Sequence, residues 1–261
     1  MTLQGLGRGD PAEPAVLVVA AHPDDETIGL GALLARLRDA TVLHVTDGAP
    51  RDGRDTAQHG FATREAYAAA RRVEALAALA IAGIGADRAP VLGIADQEAS
   101  LHLVPATHRI AELVEARRPG LVVTHAYEGG HPDHDAVAFA VRAALRLLPD
   151  PPPLAEMTGY HAGPDGIVAG RFLPPEGDVV AFQLDVAGEA TKRAMLDCFV
   201  TQRAVLAAFP TCAELLRAAP PADFTRPPHA GTLFYERFPW GMDFTRFRAV
   251  ARAALDGLGL A

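Results

Sequence analysis

Histidines and carboxylates lie close together in two short segments of the chain, residues 22–26 (HPDDE) and residues 131–134 (HPDH). Imidazole nitrogens and carboxylate oxygens are the protein ligands that zinc and related divalent metals take. A bound divalent metal lowers the pKa of its water to about 7, so that hydroxide is available at neutral pH. The two segments together therefore indicate a metal site suited to activating water for hydrolysis.

Each segment follows a short apolar run that predicts a strand. Residues 15–20 (AVLVVA) precede the first segment and residues 121–125 (LVVTH) precede the second, and both runs are rich in β-branched residues, as buried parallel strands are. The carboxyl ends of parallel strands meet at one edge of the sheet, and ligands of open α/β sheets bind beyond that edge. We therefore expect the two segments to lie together.

The remaining chain alternates strands with helices. Further strands are predicted at residues 41–46 and 90–94, and helices at residues 28–37, 63–82, 106–117 and from Pro132 onward. This alternation predicts an α/β fold, a Rossmann-like mostly parallel sheet with helices on both faces. Beyond the proline-rich residues 149–153, the patterns predict strands in AEMTGYHAG and VVAFQLDV and a helix at residues 190–207.

Proline and isolated aromatic residues dominate from Pro210 onward, which favours an irregular covering segment there. We therefore predict a single domain whose main part is residues 15–209. An N-terminal tail at residues 1–14 precedes it, and residues 210–261 form a covering segment and a helix of the same domain.

Composition limits the partners of the chain. Its 261 residues carry a formal net charge of −8, 49% of them are hydrophobic, and Lys192 is the only lysine. An acidic chain without a basic tract is unsuited to nucleic acid or an anionic membrane surface. No apolar run reaches the ~18 residues of a membrane span, and the first ten residues lack the apolar core of a signal peptide. These observations predict a soluble cytoplasmic protein.

Several catalytic classes lack their motifs in this chain. The only serine, Ser100, lies outside any G-x-S-x-G sequence, which argues against a serine hydrolase. Lys192 is not part of a P-loop. The closely spaced Gly5, Gly7 and Gly9 precede the first strand, whereas a dinucleotide fingerprint would follow it. We therefore predict that no nucleotide or redox cofactor takes part.

Each histidine-containing segment also has a simpler interpretation. The acids at residues 24–26 could cap a helix and complement its dipole, and His131 and His134 could be solvated residues at a helix start. A cap needs one acid and no imidazole, whereas two histidine–carboxylate segments follow matching strand ends here. The pair therefore favours a functional site over two unrelated caps.

The two segments and their flanks resemble a known family. AHPDDETIGLGALL together with EGGHPDHDAV is similar to the zinc-dependent PIG-L (LmbE-like) N-acetylglucosaminyl de-N-acetylases, and the resemblance covers roughly residues 15–205. Phe199 departs from it, because many members have histidine there. The further similarities are TDGAP after the second strand, Arg71-x-x-Glu74, Asp96, and Lys192 with Thr201-Gln202.

The resemblance implies a zinc-dependent hydrolase that removes an N-acetyl or related N-acyl group from an amino-sugar-containing small molecule. It implies zinc ligands at His22, Asp25 and His134, with a fourth position open to water. It also implies that Asp24 is the general base. Neighbouring acids in a tight turn point in different directions, so that one can bind the metal while the other faces the water.

Three further roles follow from the same resemblance. His131 matches the histidine that stabilises the oxyanion or protonates the leaving amine, and Asp133 matches the residue that orients it. Arg71 matches an arginine that contacts substrate, and Arg64 is less favoured for that contact. A tetrahedral oxyanion needs a hydrogen-bond donor beside the metal, and the i, i+3 spacing of His131 and His134 would place them on one helical face.

Other residues near the two segments have open roles. Glu26 would cap a helix or support the site, and His125 and Tyr127 lie near enough in sequence to support it. Trp240 would line a pocket or pack within the covering segment. His44 is expected to be packed inside the second strand.

Two other functions remain open at this point. A non-haem iron oxygenase also uses two histidines and a carboxylate, although its site usually lies on a β-sandwich fold. A non-catalytic metal- or sugar-binding protein on the same scaffold would need neither Asp24 nor His131. The expected partner is a small-molecule N-acyl amino sugar, and a homo-oligomer is left open. Residues 50–62, 94–104 and 210–242 are the loops expected to set substrate specificity.

Overall fold

The computed structural model describes residues 3–164 and 166–261, which form two sheets with helices packed around the larger one. The strands are β1 (Val16–Ala20), β2 (Ala40–Pro50), β3 (Val91–Asp96), β4 (Leu121–His125), β5 (Leu154–Met157), β6 (Tyr160–Gly163), β7 (Gly166–Ala169), β8 (Val179–Gln183) and β9 (Ala213–Ala218). The helices are α1 (Asp25–Leu34), α2 (Arg54–Gln58), α3 (Arg64–Ile81), α4 (Leu103–Arg117), α5 (Pro132–Leu147), α6 (Val186–Asp197), α7 (Arg203–Leu206) and α8 (Phe244–Gly257).

The larger sheet has seven strands in the order β3-β2-β1-β4-β5-β9-β8. Strands β3, β2, β1, β4 and β5 run parallel, whereas β9 pairs antiparallel with both β5 and β8. β6 and β7 form a separate antiparallel hairpin. The predicted α/β fold with a mostly parallel sheet is confirmed.

Helices cover both faces of this sheet, because alternate residues of each central strand point to opposite sides. In β1, Leu17 packs in one hydrophobic cluster with Phe139 of α5. The next residue, Val18, packs in a second cluster with Leu34 of α1. Both faces of β1 are therefore buried, which is why its sequence is continuously apolar.

A buried ion pair joins α6 and β9 to the middle of α1. The Lys192 ammonium donates to the carbonyl oxygen of Ile28 at 2.7 Å and lies 3.2 Å from Glu214 Oε1. The Glu214 carboxylate accepts the backbone N–H groups of Ala32 and Leu33, each at 2.8 Å. These contacts hold α1 at a fixed position over the sheet.

The prediction of an irregular segment from residue 210 is wrong for β9, which is an inner strand of the sheet. Its sequence, AELLRA, does not look like a buried strand because Glu214 and Arg217 are charged. Both are nevertheless buried, and Arg217 Nε donates to Glu156 Oε2 of β5 at 2.7 Å. The sequence pattern therefore did not predict β9, because its charged residues are paired inside the sheet.

The predicted helix at residues 190–207 is also wrong in its bounds. α6 begins at Val186, because the Asp185 side chain accepts the backbone N–H of Gly188 at 2.8 Å and caps the helix. The helix ends at Asp197, and the buried Phe199 follows in a non-helical conformation. The residue that departs from the family pattern therefore packs in the core.

Three further bounds differ from the sequence predictions. β2 continues to Pro50 rather than ending at residue 46, because its register against β3 shifts twice between His44 and Pro50. α1 begins at Asp25 rather than at residue 28, so two carboxylates occupy its first turn. AEMTGYHAG is divided between β5 and β6, which belong to different sheets.

The longest helix, α3, has 18 residues. Across residues 3–164 and 166–261, no helix combines the length and the apolar character needed to cross a membrane. The division of the chain after residues 14 and 209 stays a prediction.

Candidate metal and catalytic site

The two histidine-containing segments meet at one edge of the sheet, as expected. β1 and β4 are neighbouring parallel strands, so the loops that follow them leave the sheet side by side. His22 Nδ1 and His134 Nε2 lie 3.3 Å apart, although 112 residues separate them in the chain. Strand pairing therefore assembles the site from two distant parts of the sequence.

The side chains of His22, Asp25 and His134 bring three donor atoms together. His22 Nδ1 lies 3.1 Å from Asp25 Oδ2, and His134 Nε2 lies 3.1 Å from Asp25 Oδ1. The two imidazole nitrogens lie 3.3 Å apart, and each contacts a different oxygen of Asp25. Separations of this size suit donors that each lie about 2 Å from one tetrahedral ion. The residues present therefore fit a divalent metal.

Two more carboxylates face the other nitrogen of His22. His22 Nε2 lies 3.0 Å from Asp96 Oδ1 and 3.3 Å from Asp133 Oδ2. A histidine that donates one N–H to a carboxylate turns the lone pair of its other nitrogen toward a metal. Burial lowers the pKa of His22, but the charges of Asp96 and Asp25 outweigh burial and raise that pKa well above its ordinary value. The carboxylates around His22 therefore stabilise a positive charge at this position.

Asp133 does not contact His131 through its carboxylate. That carboxylate accepts the backbone N–H groups of Gln97 at 2.6 Å and Ala99 at 3.0 Å, besides facing His22. Its contact with His131 is made by the main chain, where the Asp133 N–H donates to His131 Nδ1 at 3.2 Å. Asp133 thus fixes one histidine by its side chain and the other by its backbone.

His131 presents a hydrogen-bond donor to the site. It is the N-cap of α5 rather than a residue within the helix, and its Nδ1 accepts an N–H, so the ring proton lies on Nε2. Nε2 lies 3.8 Å from Asp96 Oδ1, and the His131 ring lies edge-on to His22 at 4.5 Å. Burial and the charge of His22 lower the pKa of His131 well below its ordinary value. His131 is therefore a buried neutral imidazole whose N–H donor lies beside Asp96 in the cavity lining.

Asp24 is held by Arg71 and makes no hydrogen bond to His22, Asp25 or His134 within the residues that the structure describes. Its φ of +131° is rare for a residue with a side chain and gives neighbouring Asp24 and Asp25 different directions. Asp24 Oδ2 accepts Arg71 Nη2 at 3.1 Å, and the same nitrogen donates to the carbonyl oxygen of Pro23 at 2.7 Å. Burial raises the pKa of Asp24 to about 7, although the Arg71 guanidinium opposes this change.

Arg71 is buried and keeps free donors. Its Nε and Nη1 atoms have no hydrogen-bond partner among residues 3–164 and 166–261. Gly48 leaves room for the guanidinium, because a Cβ at that position would lie 2.8 Å from Arg71 Nε. One turn later, Glu74 accepts the backbone N–H of Thr201 at 2.9 Å and its hydroxyl at 2.6 Å. Arg64 pairs with Asp47 instead.

Glu26 supports the turn that carries Asp24, a role that the sequence left open. Its Oε2 accepts the Asp24 backbone N–H at 3.1 Å and lies 2.9 Å from His44 Nε2. Its Oε1 accepts the Thr27 hydroxyl at 2.8 Å. His44 was expected only to pack, and it lies in β2 opposite Ala20, the last residue of β1, just before the segment that carries Glu26.

Of the other aromatic residues that the sequence suggested, His125 and Trp240 lie near the donor atoms, whereas Tyr127 contacts a residue outside the site. The ring of His125 stacks on His134 at 4.1 Å, and its Nε2 accepts the Ala21 N–H at 2.9 Å, which engages that lone pair. The Tyr127 hydroxyl donates to the carbonyl oxygen of Arg226, outside the donor cluster. Trp240 lies 4.7 Å from the ring of His131 and therefore lines the site.

A cavity of about 700 Å³ opens over these groups. The predicted residues His22, Asp24, Asp25, His131, His134 and Arg71 all line it, whereas Asp133 lies behind His22. The sequence reasoning missed the rings of Tyr160, Phe234 and Phe238, which also line the cavity. They lie far apart in sequence, so no local pattern joins them.

Comparison with curated proteins gives related sequences. The chain is 34% identical over 137 residues to "Probable N-acetyl-alpha-D-glucosaminyl L-malate deacetylase 2" of Bacillus subtilis, over 50% of this chain and 60% of that protein. It is 30% identical over 213 residues to "1D-myo-inositol 2-acetamido-2-deoxy-alpha-D-glucopyranoside deacetylase 1" of Saccharopolyspora erythraea, over 66% of each chain. The chain thus spans less than two thirds of the length of these relatives.

Comparison with solved structures supports the fold. The structure titled "The crystal structure of antimicrobial reagent A40926 pseudoaglycone deacetylase Dbv21" is similar with a TM-score of 0.61 and 22% sequence identity, over 80% of this chain and 100% of that one. A sequence profile described as "GlcNAc-PI de-N-acetylase" matches residues 17–145, a range that contains both histidine-containing segments. Through residues 17–145, the chain belongs to the PIG-L (LmbE-like) family.

Proposed function

We propose that the chain is a metal-dependent amide hydrolase that removes an N-acetyl group from an amino-sugar-containing small molecule. The observation that carries this proposal is the cluster of His22 Nδ1, His134 Nε2 and the two oxygens of the Asp25 carboxylate, whose contacts are 3.1–3.3 Å long. The carboxylate of Asp24, held by Arg71, lines the same cavity. The family match and the names of the curated relatives, which are deacetylases of N-acetylglucosaminyl conjugates, support the same reaction.

Zinc is the metal that this donor set suits best. Two imidazoles and one carboxylate, with a position left for water, form a common ligand set of catalytic zinc. When bound, the ion would polarise the amide carbonyl and lower the pKa of a water molecule. Asp133 and Asp96 would keep His22 in the tautomer that turns Nδ1 toward the ion.

Asp24 would act as the general base. Arg71 holds its carboxylate in the cavity that His22, Asp25 and His134 also line, so Asp24 would take the proton of a water that attacks the amide carbon. A pKa of about 7 matches the protonation equilibrium that a base at neutral pH needs. The protonated carboxyl can then return the proton to the amine as the C–N bond breaks.

His131 would stabilise the negative charge on the amide oxygen. Its Nε2–H faces the cavity because Nδ1 is occupied by the Asp133 N–H. A preorganised donor at the position where charge develops lowers the barrier of acyl transfer. The free Nε and Nη1 donors of Arg71 would bind polar groups of the substrate.

A metal titration with product analysis tests this function. Chelator-treated protein is reloaded with zinc, and N-acetylated amino sugars are assayed for free amine and acetate. We expect one ion per chain, with acetate and amine released in equal amounts and no nucleotide or reductant required. Asp25→Asn should lose metal and activity together, whereas the exposed Asp150→Asn serves as a matched control and should keep both.

Two outcomes of that titration would contradict the proposal. Stoichiometric metal binding without acetate release from any N-acetylated sugar would favour a binding protein on this scaffold. Iron-dependent oxygen uptake would favour an oxygenase instead, because amide hydrolysis consumes no oxygen.

A further inference from the structure

The cavity over the donor cluster has two unlike sides. The polar side comes from the loops after β1, β2, β3 and β4 and from α3. The other side, which we name the apolar wall, consists of Tyr160, Ile167, Val205, Phe234, Phe238 and Trp240.

The aromatic members of the apolar wall form a continuous arc between two histidines of the site. Tyr160 lies 5.3 Å from the ring of His134 and 5.7 Å from Phe234. Phe234 lies 5.1 Å from Phe238, which stacks on Trp240 at 4.5 Å. Trp240 in turn lies 4.7 Å from His131. A group that extends from the reacting amide along this side meets rings rather than hydrogen-bonding groups.

The rim of the apolar wall leaves large hydrophobic side chains exposed. Phe238 is 38% exposed, Ile167 is 40% exposed and Val205 is 56% exposed. Exposed apolar side chains grouped at the mouth of a concave site are typical of ligand contact. The geometry therefore favours an occupant that covers them with apolar surface.

The charges of the cavity disfavour an anionic occupant. Its lining carries five carboxylates but only two guanidinium groups. Arg71 is already paired with Asp24, and Arg54 lies 3.3 Å from Asp52 at the mouth. Even with a divalent ion bound, the lining would keep a net formal charge of −1, and each of its two guanidinium groups already faces a carboxylate. A dicarboxylate such as malate would therefore be disfavoured.

The apolar wall also lies outside the part of the chain that defines the family. The profile match covers residues 17–145, whereas every member of the wall lies between Tyr160 and Trp240. The apolar wall is therefore not part of the segment that the family profile describes.

We propose that the substrate is an N-acyl amino sugar carrying an uncharged apolar group, aromatic or alkyl, that packs against the apolar wall. This inference rests on the proposed hydrolase function and assigns its substrate class. The apolar group is either the aglycone, which is attached to the anomeric carbon next to the carbon that bears the amide, or a long N-acyl chain, which extends from the reacting amide itself.

Kinetics on a matched set of substrates test the inference. Zinc-loaded enzyme is assayed with methyl, hexyl and benzyl glycosides of N-acetylglucosamine, with the malate conjugate, and with an N-octanoyl methyl glycoside. We expect kcat/KM for the hexyl or benzyl glycoside, or for the N-octanoyl compound, to exceed that of the methyl glycoside by at least about tenfold, because each buried methylene contributes about fourfold. The malate conjugate should be poorer than the methyl glycoside.

The arms of this set identify where the apolar group lies. Preference for hexyl and benzyl glycosides assigns the wall to the aglycone, and preference for the N-octanoyl compound assigns it to the acyl chain. Equal kcat/KM for all of them, or a preference for the malate conjugate, would overturn the inference.

Variants of the rim locate the effect on the apolar wall. Val205→Ser and Phe238→Ala should each reduce the ratio of kcat/KM for the apolar substrate to kcat/KM for the methyl glycoside several-fold. Val186→Ser is a matched control, because Val186 is 88% exposed on α6 and does not line the cavity. An equal loss for methyl and apolar substrates in the rim variants would contradict the assignment.

A binding measurement separates this inference from the proposed function. Trp240 is the only tryptophan of the chain, so its fluorescence reports contact with the wall without turnover. Hexyl or benzyl glycosides, or the N-octanoyl methyl glycoside, should change this fluorescence at concentrations at which the N-acetyl methyl glycoside does not. If no N-acyl sugar is hydrolysed but this response is found, the hydrolase proposal fails while the apolar site stands. Without such a response, the apolar site fails.

Discussion

Two clusters of buried charge in this molecule differ in their balance of cations and anions. In the Lys192–Glu214 pair, one cation meets one anion, and backbone groups of α1 satisfy both. At the edge of the sheet, three carboxylates surround the single ring of His22. A balanced buried ion pair can hold two elements of the fold together. An excess of buried carboxylates instead favours binding of an additional cation. The imbalance distinguishes the site from the scaffold.

Removing a donor of the site should produce the largest effect. His22→Ala, Asp25→Ala and His134→Ala should each lower metal affinity by more than the roughly 10–100-fold that loss of a supporting hydrogen bond costs. Activity should fall in parallel. Metal analysis after dialysis checks this, and unchanged stoichiometric zinc in all three variants would contradict the ligand assignment.

Asp24→Asn should separate chemistry from metal binding. Because its carboxylate contacts Arg71 rather than the three donors, metal content should stay near that of the unmodified protein. Turnover should fall by about 10²–10⁴-fold, the usual contribution of a general base. Metal content and initial rates, measured for both Asp24→Asn and Asp25→Asn, check this prediction. If Asp24→Asn lost the metal and Asp25→Asn kept it, the two roles would have to be exchanged.

Lys192→Met should break the balanced cluster instead. The buried Glu214 carboxylate would lose its counter-charge, which costs about 3–5 kcal/mol of unfolding free energy. Zinc affinity of the folded protein should be almost unchanged. Denaturant unfolding measures the loss, and Arg193→Met, at an exposed neighbouring position, is the control. A loss no greater than that of the control would show that the pair does not hold the scaffold.

Glu26→Gln should have the smallest effect of the four changes. An amide can still accept the Asp24 N–H, but it lacks the charge that faces His44. We expect kcat to fall by about tenfold or less, with metal content and KM unchanged, because Glu26 acts only by positioning Asp24. A loss of metal in this variant would show that the turn also positions the ligands.

The sequence predicted the parts of the fold and site that depend on local patterns. β4 begins and ends where its apolar run predicted, and the two histidine-containing segments meet as their positions after parallel strands required. Contacts between distant side chains left no such pattern. β9 was missed because its buried charges find partners on other elements, and the contact of the Asp133 carboxylate with His22, 111 residues away, was not predicted.

The adjacency of β1 and β4 also links the site to folding. His22 and Asp25 follow one strand and His134 follows the other, so the three donors are gathered only after those strands pair. An ion that binds the folded chain alone stabilises it by about 2.7 kcal/mol at a concentration 100 times its Kd. Zinc should therefore raise the Tm and suppress hydrogen exchange where the two strands meet. The ion would act as a reversible cross-link between the halves of the sheet.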